Sequence, residues 1–492
     1  MKNFLLVFFF LLFTVRGFSQ QFSQYNTGTL YDSFENPSQK VFVADTSKKY
    51  AFNFLFPNFN ANLFLTGDVQ SAVKSRLFSS YYNTAALQVG SGKNNHLNLD
   101  ANVYSLMFKV FSSFDGDQEL GVALNTKAEG RGLFSDETVA ILNGPGSFPG
   151  NNYTNIFNDN FYYQVYQQIG FTYREQVDRR FALGIKVSAL SGVDYDKVQI
   201  NSSRLIFDKP NDAATLELQG KSYKSGNDGK SLAQNLLPTF KNPGMSVTIG
   251  STYKTPDGFT LQANIKDLGF IHWNKTSDIY IFNNFGSPVT VNGLSTPHRE
   301  DSIYNKANFI VSKTSKVTTD FATATNGLLE LSASKTYILG GNETSKFSPT
   351  LIASKELMYT GFTAALVAPV QIEKYVMTLT SSYSDLKLFN LGGQLMIKTA
   401  NSEFFIGSEK LYQTGSLIYS GLKSSTAQVQ TQPQTFSTPG AFTGADFFIG
   451  FSFKFGPIIE RDMNSSTMHR GEKGFLGKLF ERIFPQDEIR NN

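Results

Sequence analysis

Residues 446–455 read Asp-Phe-Phe-Ile-Gly-Phe-Ser-Phe-Lys-Phe, and their alternation decides the fold. Successive side chains of an extended strand point to opposite faces. Phe447, Ile449, Phe451, Phe453 and Phe455 therefore form one unbroken apolar face, and Phe448, Gly450, Ser452 and Lys454 form the other. In water such a strand would expose a row of aromatic rings or invite pairing with another edge. A closed barrel in a bilayer satisfies its backbone internally and turns an apolar belt to lipid, which suits this pattern. A soluble β-protein is the competing reading.

The same period of two runs back along the chain. In 162–174, Tyr163, Val165, Ile169, Phe171 and Tyr173 share a face on which Gln167 is the only intruder, opposite Tyr162, Gln164, Tyr166, Gln168, Gly170, Thr172 and Arg174. Phe181, Leu183, Ile185, Val187 and Ala189 oppose Ala182, Gly184, Lys186 and Ser188. Met245, Val247, Ile249 and Tyr253 alternate with Ser246, Thr248, Gly250 and Lys254, and Phe259, Leu261, Ala263 and Ile265 do the same against Gln262, Asn264 and Lys266. The pattern predicts fourteen strands, at 50–65, 97–109, 118–130, 161–175, 181–190, 243–254, 259–268, 335–342, 347–356, 360–369, 373–383, 387–398, 403–410 and 446–455. Gaps after odd-numbered strands include long ones (66–96, 131–160, 191–242, 269–334, 411–445), although two of them (357–359 and 384–386) are short, whereas those after even-numbered strands are tight, with turn pairs such as Asp115-Gly116, Asp257-Gly258 and Gly341-Asn342. Long loops on one side and short turns on the other are the pattern of outer-membrane barrels, with the turns periplasmic. The expected fold is all-β, a transmembrane antiparallel barrel of about 14 strands over residues 49–455, with both termini in the periplasm.

Composition agrees. Among 492 residues there are 47 phenylalanines, 22 tyrosines and 40 glycines, and 17% are charged, too aromatic and too weakly charged for disorder. No segment beyond the N-terminus offers the ~20 consecutive apolar residues of a membrane helix. A net charge of +4 gives no reason to propose nucleic acid as a partner, and zero cysteines exclude disulfides and thiolate chemistry. Residues 1–19 read as a signal peptide: Lys2, an apolar run from Phe4 to Val15, and Gly17 and Ser19 before a cleavage site at Gln20. The four histidines (His96, His272, His298, His469) show no metal-ligand spacing, and no nucleophile elbow, phosphate loop or dinucleotide fingerprint is present. No catalytic, cofactor or metal site is therefore assigned. A hydrolase assembled across loops is the unfavoured alternative.

Several short stretches carry a resemblance. Asn36-Pro37 precedes the first strand. Leu183-Gly184-Ile185-Lys186 lies in the fifth, and Leu190-Ser191-Gly192 at its end. Most characteristic is Asn242-Pro243-Gly244 through Gly250 and Tyr253, then Asp267-Leu268-Gly269-Phe270-Ile271-x-Trp273. With these motifs the chain resembles outer-membrane proteins of the FadL superfamily, and more closely an uncharacterised Bacteroidota barrel family related to the secretion-system barrel PorV. The resemblance implies a 14-stranded barrel whose N-terminal segment, residues 20–48, plugs the lumen; a flexible periplasmic leader is the alternative. It transfers no catalytic motif. Two departures stand out, a Gln/Thr/Ser-rich insertion in 411–445 and an extension over 456–492.

Four features are candidates for function. Arg174, Lys254, Lys398 and Lys454 lie on inward faces at the periplasmic ends of strands four, six, twelve and fourteen, as a basic collar for anionic solutes or as partners of plug carboxylates Asp32, Glu35 and Asp45. Trp273, the single tryptophan, suits an interfacial aromatic girdle or loop packing. In the tail, Phe475, Leu476, Leu479, Phe480 and Ile483 form an apolar stripe of a helix over 473–484, which could lie on a leaflet, dock on the barrel mouth, or bind an envelope protein. Residues 424–440 read as a mobile outer loop. The partners expected are outer-membrane lipid, a small hydrophobic or anionic solute, and an envelope protein held by the tail helix or outer loops. Two functions stay open: a channel for small molecules, hydrophobic ones included, and a structural subunit of an envelope assembly.

Overall fold

The computed structural model describes residues 21–42, 48–53, 56–78, 82–111, 117–226, 238–313, 315–341, 344–359, 361–386, 388–426, 443–458 and 474–483. The signal peptide, Asp45, His469 and most of the 424–440 loop lie outside the described residues.

Fourteen antiparallel strands close into a barrel. They are β1 (Lys48–Phe52 and Asn58–Leu65), β2 (Asn94–Phe111), β3 (Gln118–Ser135), β4 (Asn160–Gln176), β5 (Phe181–Asp208), β6 (Pro243–Lys254) and β7 (Phe259–Trp273), then β8 (Phe321–Ala324 and Leu328–Lys335), β9 (Thr350–Glu356), β10 (Phe362–Ile372), β11 (Tyr375–Ser384), β12 (Phe389–Lys398), β13 (Ser402–Ser408) and β14 (Thr443–Ile458). Closure comes from β14, which pairs back onto β1 with Phe453 opposite Phe52 and Ile449 opposite Phe59. The alternation does what the sequence requires of it. Leu379, Met377, Phe171 and Leu351 are each more than 60% exposed on the outer surface, while Thr378, Thr380, Thr172 and Thr350 face inward and are buried. Along β14 the five-residue apolar face points out, with Phe448, Gly450, Ser452 and Lys454 buried behind it. Among the described residues, no helix is long and apolar enough to cross a membrane.

The structure corrects one strand position. The eighth strand runs over Leu328–Lys335, not 335–342. Its alternation is regular but short: outward Leu329, Leu331 and Ala333 oppose inward Glu330, Ser332 and Ser334, and Leu328 breaks the pattern at its start. The long external gaps also hold structure that periodicity did not reveal. β5 continues to Asp208 and folds back on Ala213–Gly226 as a tall hairpin. A core of Phe207, Leu216, Phe282 and Ile310 ties that hairpin to the helix Arg299–Ser312. The insertion after β13 begins with a helix, Leu411–Thr426.

Candidate functional site

Residues 21–42 lie inside the ring of strands. Thr29 caps a short helix, α1 (Leu30–Glu35), by accepting from the Asp32 amide at 3.2 Å. The helix buries Leu30, Tyr31 and Phe34 against inward-facing Met107, Phe405 and Phe448. Polar wall residues satisfy the rest of the segment: the Leu30 amide donates to Glu403 (3.0 Å), Ser23 to Glu409 (2.7 Å) and Gln24 to Gln394 (2.6 Å).

The family-like motifs meet here. Gly184 and Gly250 are cross-strand partners on the inner face. A Cβ on Gly184 would overlap the Pro37 carbonyl, and one on Gly250 would overlap the Asn36 side chain. The two glycines thus form a saddle for Asn36-Pro37-Ser38, a close backbone approach that only a missing side chain permits.

Three of the four collar cations are used by the same segment. The Arg174 Nε donates to the Ser38 carbonyl at 2.9 Å. Lys398 donates to the carbonyls of Thr27 and Gly28. Lys454 reaches the Val41 carbonyl at 3.4 Å and pairs with Glu403 at 2.7 Å. Lys254 is exposed at the rim. The partners are therefore backbone carbonyls more than the carboxylates expected. Glu35 instead looks the other way, accepting from the Tyr104 hydroxyl at 2.8 Å and facing Lys266 at 3.6 Å. Buried ammonium and guanidinium groups are tolerable where such acceptors meet them.

The second motif cluster is a bulge in β7. Lys266 and Asp267 together stand opposite Thr248, because the register with β6 jumps between Ile265 and Leu268. Asp267 adopts φ 45°, in the left-handed region where Asp is better tolerated than most residues. Both side chains consequently point inward. Asp267 pairs with Lys127 and with Lys186 (3.1 Å) and accepts from Gln168 at 2.9 Å. Lys266 pairs with Glu330 at 2.7 Å. Around them Arg131 bridges Asp100 (2.6 Å) and Glu356 (2.7 Å), and Glu129 accepts from the Tyr166 hydroxyl at 2.7 Å.

The bulge also reverses the parity of the residues C-terminal to it. Leu268 and Phe270 turn out to the surface, and Ile271 and Trp273 turn in, both fully buried. The girdle position expected for Trp273 is thereby corrected. Its ring lies on Gly192, whose Cβ would come within 2.8 Å of it, and its Nε1 donates to Thr323 at 2.8 Å. Asn242 links the same seam, donating to the Gly192 carbonyl (3.1 Å) and accepting from the Asn274 amide (3.1 Å). Gly244 and Gly269 pack against the backbones of β7 and β6 there, while Pro243 and Tyr253 sit on the outside of β6.

Between the N-terminal segment and the outer loops lies a cavity of about 180 Å³. Phe22, Tyr25 and Asp32 line it from the segment, Asn60 and Asn102 from the wall, and Asp385 from an outer loop. The basic residues of the bulge region and the ion pairs around it border the same space. At its side β13 stops at Ser408, and the helix Leu411–Thr426 takes over. Gln413 donates to Asn390 of β12 at 2.9 Å, and Thr414 accepts from the Asp446 amide of β14 at 3.0 Å. Its outward residues Leu411, Tyr412, Ile418, Tyr419 and Leu422 are all exposed.

In the tail, the helix Phe475–Ile483 presents its first amides to the β4 residue Glu175, from Leu476 at 2.8 Å and Gly477 at 3.0 Å. A carboxylate there also complements the positive end of the helix dipole. Leu476 is buried, Phe475 and Leu479 are exposed, and the side chains of Phe480 and Ile483 lie outside the described residues. Among the described residues no group of three or more His, Cys, Asp or Glu could hold a metal ion.

A model of a family of unknown function, DUF5723, matches residues 44–409. The chain belongs to this family. The match starts after the lumen segment and stops where β13 gives way to the helix, so the family's shared part is thirteen of the wall strands. No curated protein matches the chain. Among solved structures it is similar to the toluene transporter TodX of P. putida, with 9% identity and a TM-score of 0.40 over 86% of this chain and 93% of that one. A FadL homologue of Pseudomonas aeruginosa gives 11% identity and 0.39 over 88% and 96%. The translocator domain of the autotransporter NalP from Neisseria meningitidis gives 7% and 0.34 over 84% and 90%.

Proposed function

We propose that this member of the family is an outer-membrane channel that admits small solutes from the outside, with residues 21–42 as a plug across the lower lumen. The observation that carries this reading is the cavity of about 180 Å³ between that segment and the outer loops. A purely structural barrel has no need to keep such a space lined by ionisable groups, because each buried charge costs desolvation. The exposed apolar belt and the tight turns on one side support the location. FadL-like uptake of hydrophobic molecules draws on the family resemblance; the lining itself is largely polar. Planar-bilayer recordings test the reading. The mature chain should conduct weakly and intermittently, and deletion of residues 21–42 should produce a large, stable conductance. Equal conductance in both would remove the plugged-channel reading.

A second reading, a subunit of an envelope assembly in the manner of PorV, draws on the outward apolar stripe of the helix Leu411–Thr426. A photo-crosslinker at Ile418 in intact cells separates the two. A discrete protein adduct favours the assembly, and lipid-only adducts favour the channel.

A further inference from the structure

The tail helix is fastened to the outer side of the barrel, not to its mouth. Where β3 meets β4, Glu119 and Gly121 face inward opposite Arg174 and Thr172, and Gln118, Leu120 and Val122 face outward opposite Glu175, Tyr173 and Phe171. Glu175 therefore stands on the surface that carries the apolar belt, in one row with Phe171, which is 61% exposed. Glu175 itself is 3% exposed, because the helix Phe475–Ile483 begins over it. Its two oxygens accept from three donors, the Leu476 amide (2.8 Å), the Gly477 amide (3.0 Å) and the Tyr173 hydroxyl (2.9 Å). Gly474 packs into the same place without a side chain: a Cβ there would lie 2.5–2.6 Å from the Tyr173 hydroxyl, the Gln118 amide nitrogen and a Glu175 oxygen.

That attachment lies at the edge of the apolar belt. Outward tyrosines stand near the tight-turn ends of several strands, Tyr50 in β1, Tyr173 in β4, Tyr253 in β6 and Tyr375 in β11. A membrane barrel carries its interfacial aromatic girdle at such a level. An outward carboxylate is tolerated at that depth and costly nearer the bilayer centre. Around the helix, Leu476 turns to the wall and is buried. Leu479 and Phe475 come next on the same stripe and are 42% and 71% exposed, and exposed Lys478 and Arg482 follow beyond them. The stripe is thus wider than its contact with the wall. A docked edge, a bare apolar middle and a basic far edge, set at the girdle, are the make-up of an interfacial helix.

We propose that the tail helix is a foot set in phospholipid, in the leaflet beside the tight turns. Phe475 and Leu479 enter the acyl region, Lys478 and Arg482 lie level with the phosphates, and Glu175 fixes the helix to the seam of β3 and β4. Lipid is the occupant because the bare stripe continues a surface, that of Leu120 and Phe171, which already faces hydrocarbon. Such a foot serves a channel and an assembly subunit alike.

Single cysteines, in a chain that has none of its own, test the foot in the full-length mature protein reconstituted in vesicles of phosphatidylethanolamine and phosphatidylglycerol. Spin labels on Phe475→Cys and Leu479→Cys should collide with oxygen in preference to a water-soluble nickel chelate, by about threefold over labels on Lys478→Cys and Arg482→Cys. Equal ratios at the four positions, or a preference for nickel at 475 and 479, would put the stripe in water and overturn the proposal. The anchor is read separately, as the dipolar distance between labels on Leu479→Cys and on Asp257→Cys in the exposed β6–β7 turn. One narrow distance is expected, broadened by Glu175→Ala while the heat-modifiable gel band of a folded barrel persists. A broad distribution in the parent, or a narrow one that Glu175→Ala leaves unchanged, would remove the attachment to the seam. A photo-crosslinker at Phe475 in intact cells should give lipid adducts; a discrete protein adduct would assign the stripe to a protein partner and overturn the proposal as well.

Discussion

The lower and upper halves of the lumen are built from the same kind of wall and end in opposite states. Both present inward rows of polar and charged side chains. Below, the chain's own segment supplies partners: the carbonyls of Ser38, Thr27, Gly28 and Val41 take Arg174, Lys398 and Lys454. Above, wall residues pair mainly with one another around Asp267 and Arg131, and a cavity remains. Inward polarity alone therefore does not mark a solute path. What matters is whether a charge is answered by fixed backbone or by groups left facing space.

The largest expected effect comes from removing the fit between the N-terminal segment and the wall. Gly184→Leu places a branched side chain where the Pro37 carbonyl lies. Backbone cannot yield as a side-chain tip can, so the segment must leave the saddle. Single-channel conductance should rise about tenfold or more, with residues near Pro37 becoming open to added protease. Gly258→Leu, at an external position of the β6–β7 turn with open space around its Cβ, is the control for glycine loss, at a cost set by its φ of 83°. If Gly184→Leu conducted like the parent chain, the lower half would not be the closed one.

Asp267→Asn should be the next most severe. It leaves Lys127 and Lys186 buried against a neutral amide. Breaking a buried pair from one side typically costs about 3–5 kcal/mol. The change would be read as a lower urea midpoint for loss of the heat-modifiable gel band. The effect should exceed that of Lys398→Met, where a lost ammonium leaves two carbonyls that the N-terminal segment can turn toward water, roughly 1–3 kcal/mol. The reverse order would mean that the N-terminal segment, and not the upper ion network, holds the barrel together.

Much of this division was legible in the chain, and its limits have physical causes. Fourteen strands, their approximate spans and the lipid-facing side of β14 come from a period of two, because one face meets hydrocarbon. The motif glycines were visible as places of close approach, but nothing in the spacing showed that Gly184 and Gly250 would sit opposite each other with Asn36-Pro37 between them; that is a register fact. The upper network was missed although a signal existed. Lys127, Glu129 and Arg131 occupy every second position of one strand and carry both signs, a pattern that only an inward ionic ladder explains in lipid. The girdle expectation for Trp273 failed because it rested on an aromatic side chain in the gap after 268, whereas β7 runs on to Trp273 and the bulge at 266–267 turns that end of the strand inward, a phase change that alternation up to 268 does not contain.

Trp273 offers a gentler test of that phase change. As the only tryptophan it reports alone. Buried on Gly192 inside the wall, it should emit at short wavelength and lose little intensity in vesicles of brominated lipid, whereas a girdle residue would be strongly quenched. Trp273→Phe should cost about 1 kcal/mol, the worth of the hydrogen bond to Thr323 and a little packing. Strong bromine quenching would put the side chain in lipid, remove the bulge, and turn Asp267 away from the lysines on which the upper half depends.

The smallest effect belongs to Lys254, and it sharpens the comparison most economically. It shares strand end, inward parity and charge with the other collar members, yet it is exposed at the rim while they are buried or bonded to the N-terminal segment. In water of high dielectric an exposed lysine contributes at most a few tenths to about 1 kcal/mol through any neighbour, and its field is screened within about 8 Å at physiological salt. Lys254→Ala should therefore leave the urea midpoint and the cation-to-anion permeability ratio within error of the parent. If it shifted selectivity as far as neutralising all four positions does, the lower lumen would be a basic filter after all, and the backbone carbonyls would not be what those cations are for.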